Sequence, residues 1–65
     1  MIISRQKFEL LLADKETTIK AIAEAAKLSN PTVTKIRREL PMLPRTVGKV
    51  ARVFGVEVEY LVKAD

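Results

Sequence analysis

Between Thr17 and Leu40 the chain reads TTIKAIAEAAKLSNPTVTKIRREL: two apolar periodicities of helical spacing, separated by turn-forming residues. No other stretch constrains the fold as much. Ile19, Ile22, Ala23 and Ala26 recur at i, i+3, i+4 and i+7, which predicts a helix to about Lys27 with one face inward, capped by Thr17 or Thr18. Lys20 and Glu24 form a solvent-side i, i+4 pair on it, and a small residue at Ala23 lets a neighbouring helix cross closely. Leu28, Ser29, Asn30 and Pro31 form the turn. Ser29 and Asn30 are both strong caps, and proline is tolerated in a first helical turn because its missing N–H would be unpaired anyway. The next helix therefore starts within a residue of Asn30. At about 100° per residue, Val33, Ile36 and Leu40 share its inner face, while Pro31, Thr34, Lys35 and Arg38 point the opposite way. Pro41 ends it.

Shorter signals order the remainder. Ser4 can cap a helix from Arg5 to about Ala13, with Phe8, Leu11 and Leu12 on one face and Leu10 off that stripe. Pro44 suits the first turn of another helix carrying Val47, Val50, Ala51 and Phe54 inward, and Gly55 supplies its stop. Arg45, Lys49 and Arg52 are left on its outer surface. Met42 and Leu43 lie between two prolines, where they either tuck under the bundle or meet a second copy of the chain. From Val56 two readings fit. Val56, Val58, Tyr60 and Val62 alternate as in a strand, whose natural partner is the same strand of a second subunit; Val58, Leu61 and Val62 also fit a short helix. The expectation is one domain over residues 1–65, an all-α compact bundle of about five short helices in which the C-terminal segment is helix or strand.

Composition narrows the function. There is no cysteine and no histidine, which removes disulfides, zinc fingers, thiolate nucleophiles and imidazole acid/base chemistry together. Without a Gly-rich phosphate loop either, an enzyme is the least supported class, and neither a cofactor, a metal nor a small-molecule ligand is expected. The longest apolar run is far short of the ~20 residues that span a bilayer, so a cytoplasmic protein is expected. Charge is unevenly placed. Residues 1–26 balance four basic against four acidic side chains, whereas residues 27–52 hold Lys27, Lys35, Arg37, Arg38, Arg45, Lys49 and Arg52 against Glu39 alone, a local excess of +6. Such a concentration attracts polyanions and releases their counterions.

Ala23-Glu24-Ala25-Ala26, Leu28-Ser29, Thr32-Val33-Thr34-Lys35-Ile36, Pro44-Arg45-Thr46-Val47, Val50-Ala51, Phe54-Gly55-Val56 and Tyr60-Leu61 together resemble the Cro/repressor, or xenobiotic-response-element, helix-turn-helix family. The likeness covers about three quarters of the chain and is nearest to the small phage Cro proteins. It implies a lambda-repressor-like domain whose central helix-turn-helix reads a pseudo-palindromic double-stranded DNA operator as a homodimer, in a bacterial or phage regulator of transcription. A chain of this length fits a Cro-like repressor better than a full-length one, unless it is an excised domain. Two residues depart from the family pattern: Lys27 stands where glycine is common, and Ile19 where a phosphate-binding glutamine is common.

Under that resemblance the helix after Asn30 enters the major groove. Lys35 reads guanine, while Thr34 and Pro31 meet a thymine methyl. Asn30 can pair with adenine if Ser29, as the resemblance implies, is the cap; an Asn30 cap would occupy its side chain. Thr18, Lys20, Thr32, Arg37, Arg38, Arg45 and Lys49 are the expected phosphate contacts, with an ion pair to Glu24 or Glu39 as the alternative for Arg37. A dimer interface is expected on Met42, Leu43, Val58, Tyr60 and Val62. The rival is a protein-binding helical module of the same fold, antirepressor or antitoxin-like.

Overall fold

The computed structural model describes residues 1–63. Four α-helices, α1 (Arg5–Asp14), α2 (Ile19–Ala26), α3 (Asn30–Arg37) and α4 (Pro44–Phe54), are followed by one 3-10 turn, Val58–Tyr60. The all-α bundle is as expected, with the fifth helix reduced to that turn. Each helix start has a local cause. The Ser4 hydroxyl accepts the Lys7 N–H at 3.2 Å, Thr18 accepts Ala21 N–H at 3.2 Å and Ser29 accepts Thr32 N–H at 3.4 Å, each satisfying one donor that the helix cannot. α4 has no side-chain cap; Pro44 sits in its first turn instead.

All four helices also stop in the same way. A residue in the left-handed region sends its N–H to the carbonyl three residues back, and the next N–H reaches five back, the paired bonds of a Schellman ending. The left-handed residues are Glu16, Lys27, Glu39 and Gly55. Their paired bonds run Glu16→Ala13 with Thr17→Leu12, Lys27→Glu24 with Leu28→Ala23, Glu39→Ile36 with Leu40→Lys35, and Gly55→Arg52 with Val56→Ala51. Only Gly55 adopts this conformation without a Cβ penalty; a side chain there costs on the order of 1 kcal/mol. Lys27 thus takes the conformation that glycine would have eased, with φ 57°.

The ending at Glu39 corrects the expected length of α3. The helix stops at Arg37 rather than running to Leu40, and the left-handed Glu39 swings the chain so that Leu40 leaves the inner stripe and is 41% exposed. Ile36 alone of α3 is fully buried. The core is Ile3, Phe8, Ile22, Ile36, Met42, Val47, Val50, Ala51, Phe54 and Leu61, with the Phe8 and Phe54 rings edge to face at 5.4 Å. α4 packs chiefly on α2 and on the 3-10 turn.

The chain termini close this core. Met42 N–H donates to Met1 O at 2.6 Å, Lys63 N–H to Ile2 O at 2.8 Å and Ser4 N–H to Leu61 O at 2.9 Å, around an antiparallel bridge between Ile3 and Val62. The extended end of the tail therefore pairs within its own chain, Val62 with Ile3. Met42 is 6% exposed, so of the two roles open to it the core claims it and a dimer contact is lost. Val58 and Val62 are partly buried against the core, which leaves Leu43 and Tyr60, 72% and 62% exposed, as the accessible members of the expected interface. Among the described residues two ion pairs form, Arg5–Glu9 and Lys63–Glu39; the expected Lys20–Glu24 pair is not one of them. No helix among these residues is long and apolar enough to cross a membrane.

Candidate nucleic-acid interface

α3 is short and buries only Ile36 fully, with Thr32 and Val33 partly covered. Asn30, Pro31, Thr34, Lys35, Arg37 and Arg38 are all exposed. At about 100° per residue they form one arc, bounded by Arg37 on the side of α2 and by Lys35 on the other, with Asn30, Thr34, Arg38 and Pro31 between. The residues expected to face base edges therefore share a surface. Because the Ser29 hydroxyl caps the helix, the Asn30 side chain is free, and the alternative in which Asn30 is the cap falls away.

The same cap limits Thr32, which is partly buried; its hydroxyl lies 2.9 Å from that of Ser29 and is engaged within the turn. Thr18 is exposed and accepts Ala21 N–H, so its own O–H remains available as a donor. Lys20, Lys27, Asn30 and Arg37 line a shallow depression between α2 and α3 together with Ala23 and one carboxylate, Glu24. Lys27 is a cation that sequence reasoning assigned only to the turn. It stands there with the left-handed backbone of the α2 ending.

Glu39, the one carboxylate among residues 27–52, is drawn off the α3 surface. It accepts the Arg5 backbone N–H at 3.0 Å, at the start of α1, and Lys63 Nζ approaches it at 3.4 Å. The Arg5 hydrogen bond, aided by the Lys63 charge, holds the Glu39 carboxyl below the usual carboxylate range. The ion pair offered for Arg37 with Glu39 is thereby replaced, the one offered with Glu24 does not form among the described residues, and the α3 arc carries Lys35, Arg37 and Arg38 with no acid among them. No protein-family model, curated protein or solved structure matches the chain.

A second cationic group lies on α4. Arg45, Lys49 and Arg52 follow i, i+4, i+7 spacing opposite the buried Val47, Val50, Ala51 and Phe54, and with Gly48 they line a shallow hollow of about 320 Å³. Two local preferences are broken there. Glycine within a helix costs about 0.5–1 kcal/mol relative to alanine, and like charges at i, i+4 cost a few tenths more. Sequence reasoning gave Arg45 and Lys49 a phosphate role but left Arg52 and Gly48 without one. The available signal was the cationic repeat in register opposite the apolar one.

Proposed function

We propose that this chain is a sequence-specific double-stranded DNA-binding regulator of the Cro-like kind, docking α3 in the major groove. The observation that carries the reading is the continuous exposed arc of Asn30, Pro31, Thr34, Lys35 and Arg38, free of carboxylates because Glu39 is held by Arg5 and Lys63. The arc combines the donors and small apolar groups that distinguish base pairs in the major groove. Lys35 donates to guanine O6/N7, Asn30 pairs with adenine, and Thr34 and Pro31 meet a thymine methyl. Arg37 and Arg38, with Lys20 and the Thr18 hydroxyl from α2 and with Arg45 and Lys49 from α4, hold phosphates and so set the register. Thr32 contributes least, since its hydroxyl is engaged with Ser29. A homodimer on half-sites about 34 Å apart would meet through the exposed Leu43 and Tyr60.

The test is selection of bound duplexes from a randomised pool, followed by affinity against salt for the winner and a scrambled control. A pseudo-palindrome bound at least ~10³ more tightly than the control is the expected result. Lys35→Ala should then relax preference at one base position and cost about 1–3 kcal/mol on the selected site. An equal loss on every duplex would reduce Lys35 to a phosphate contact. A protein-binding module is the second reading, favoured by the exposure of Leu10, Leu43 and Tyr60; absence of any enrichment would select it.

A further inference from the structure

Apart from α3, the strongest charge feature of the molecule is the outer face of α4. We infer that this face is a second phosphate-binding surface, in which Arg45, Lys49 and Arg52 converge on phosphodiester groups seated in the hollow over Gly48. With a rise of 1.5 Å per residue, the three cations are spaced about 6 and 10.5 Å along the axis, within reach of one another's targets through their long side chains. The face they occupy is opposite the one α4 buries, so packing does not dictate the charges. Nor does packing dictate the glycine: a Cβ at Gly48 would meet nothing within 4 Å. Its φ is not positive either, since Gly55 is the only glycine in the left-handed region.

A helix-weakening residue with neither a steric nor a conformational cause, beside three mutually repelling cations with no acid in the hollow among the described residues, breaks local preference in the way a ligand site does. The missing side chain leaves room, and the cations supply charge for an anion to fill it. Phosphate oxygens suit bidentate Arg45 and Arg52 with Lys49 as a point charge between them. The α3 arc is the face assigned to base edges, so the cations of α4 are left to the phosphates. The inference draws on the DNA-binding reading for the source of the phosphates and adds to it Arg52, Gly48 and a second face.

The experiment measures binding of a short scrambled duplex against salt concentration for the wild-type chain, Arg52→Ala, Gly48→Ala and Gly48→Leu, with thermal melts of each. Arg52→Ala should lower the salt slope by about one and weaken affinity several-fold. Gly48→Leu should weaken it comparably with no change of charge, by filling the hollow, while Gly48→Ala raises the melting temperature and binds less tightly than wild type. A melt showing Gly48→Leu folded separates occlusion from unfolding; if it does not fold, Gly48→Ala and Arg52→Ala carry the decision. Loss in the first duplex bound would mean that both faces share one duplex, and loss confined to a second, weaker event at excess DNA would mean that α4 holds another segment. Folded variants that bind within twofold of wild type with an unchanged slope would overturn the inference, whatever operator selection finds. Failure of selection with the Arg52 effect intact would instead remove only the sequence-specific reading.

Discussion

α3 and α4 are neighbours in the chain and are held in opposite ways. α4 places Val47, Val50, Ala51 and Phe54 in the core, whereas α3 buries only Ile36 and is fixed by its ends. At one end the Ser29 hydroxyl takes Thr32 N–H, and at the other Glu39 bridges to the start of α1 and to the tail. A helix positioned by its termini needs only a narrow stripe in the core and keeps a broad arc free for another molecule. One positioned by a deep stripe gives up that side and leaves only the face opposite. The contrast predicts that stability and recognition should respond to different residues.

The largest effect should come from the buried stripe. Phe54 is 3% exposed and packs edge to face on Phe8, so Phe54→Ala should cost about 3–5 kcal/mol in urea denaturation. That is a large part of the roughly 5–15 kcal/mol by which a domain is stable, and much of the chain would unfold. A loss under about 1 kcal/mol would mean that α4 is not the anchor described.

Phe54 also shows why some of this fold could be read from the sequence. Its stripe at i, i+3, i+4, i+7 is a local pattern, as are the Ser4, Thr18 and Ser29 caps, and helix starts and inward faces follow from such patterns. Helix ends were harder. Gly55 announces itself, but Glu16 and Glu39 take the same left-handed conformation with no compositional mark, and the misplaced end of α3 put Leu40 on the wrong side. Contacts between distant residues were harder still. Neither the pairing of Ile3 with Val62 nor the burial of Met42 beside Met1 has any periodic signature. At the candidate interface the outward arc was legible because it is the complement of an inward stripe. That Glu39 leaves this arc acid-free was not, because its partners, Arg5 and Lys63, come from opposite ends of the chain.

The next effect in size tests the first end of α3. Ser29→Ala removes the cap and should cost about 1 kcal/mol, with hydrogen exchange accelerated selectively at amides of α3 and not of α4. If the loss were spread evenly over both helices, the distinction between end-held and core-held would collapse.

The smallest effect belongs to the other end and is best seen through pH. Glu39 is partly exposed, its side chain at 32% and that of Lys63 at 57%, so solvent screens the pair and its contribution is small. Its sign is nevertheless fixed. The Arg5 N–H and the Lys63 charge favour the carboxylate, so the folded pKa lies below the unfolded one. The folded state then binds fewer protons, and the stabilisation is complete above the ordinary glutamate pKa of about 4.3 and lost as pH falls through the depressed value. Glu39→Gln keeps an oxygen acceptor for Arg5 N–H but has nothing to titrate. Urea midpoints measured from neutral to acid pH should therefore show wild type ahead of the variant near neutrality, with the gap closing below about pH 4. A gap unchanged with pH would show that the carboxylate's charge does not hold this end of α3, leaving the Schellman turn at Glu39 to do so alone.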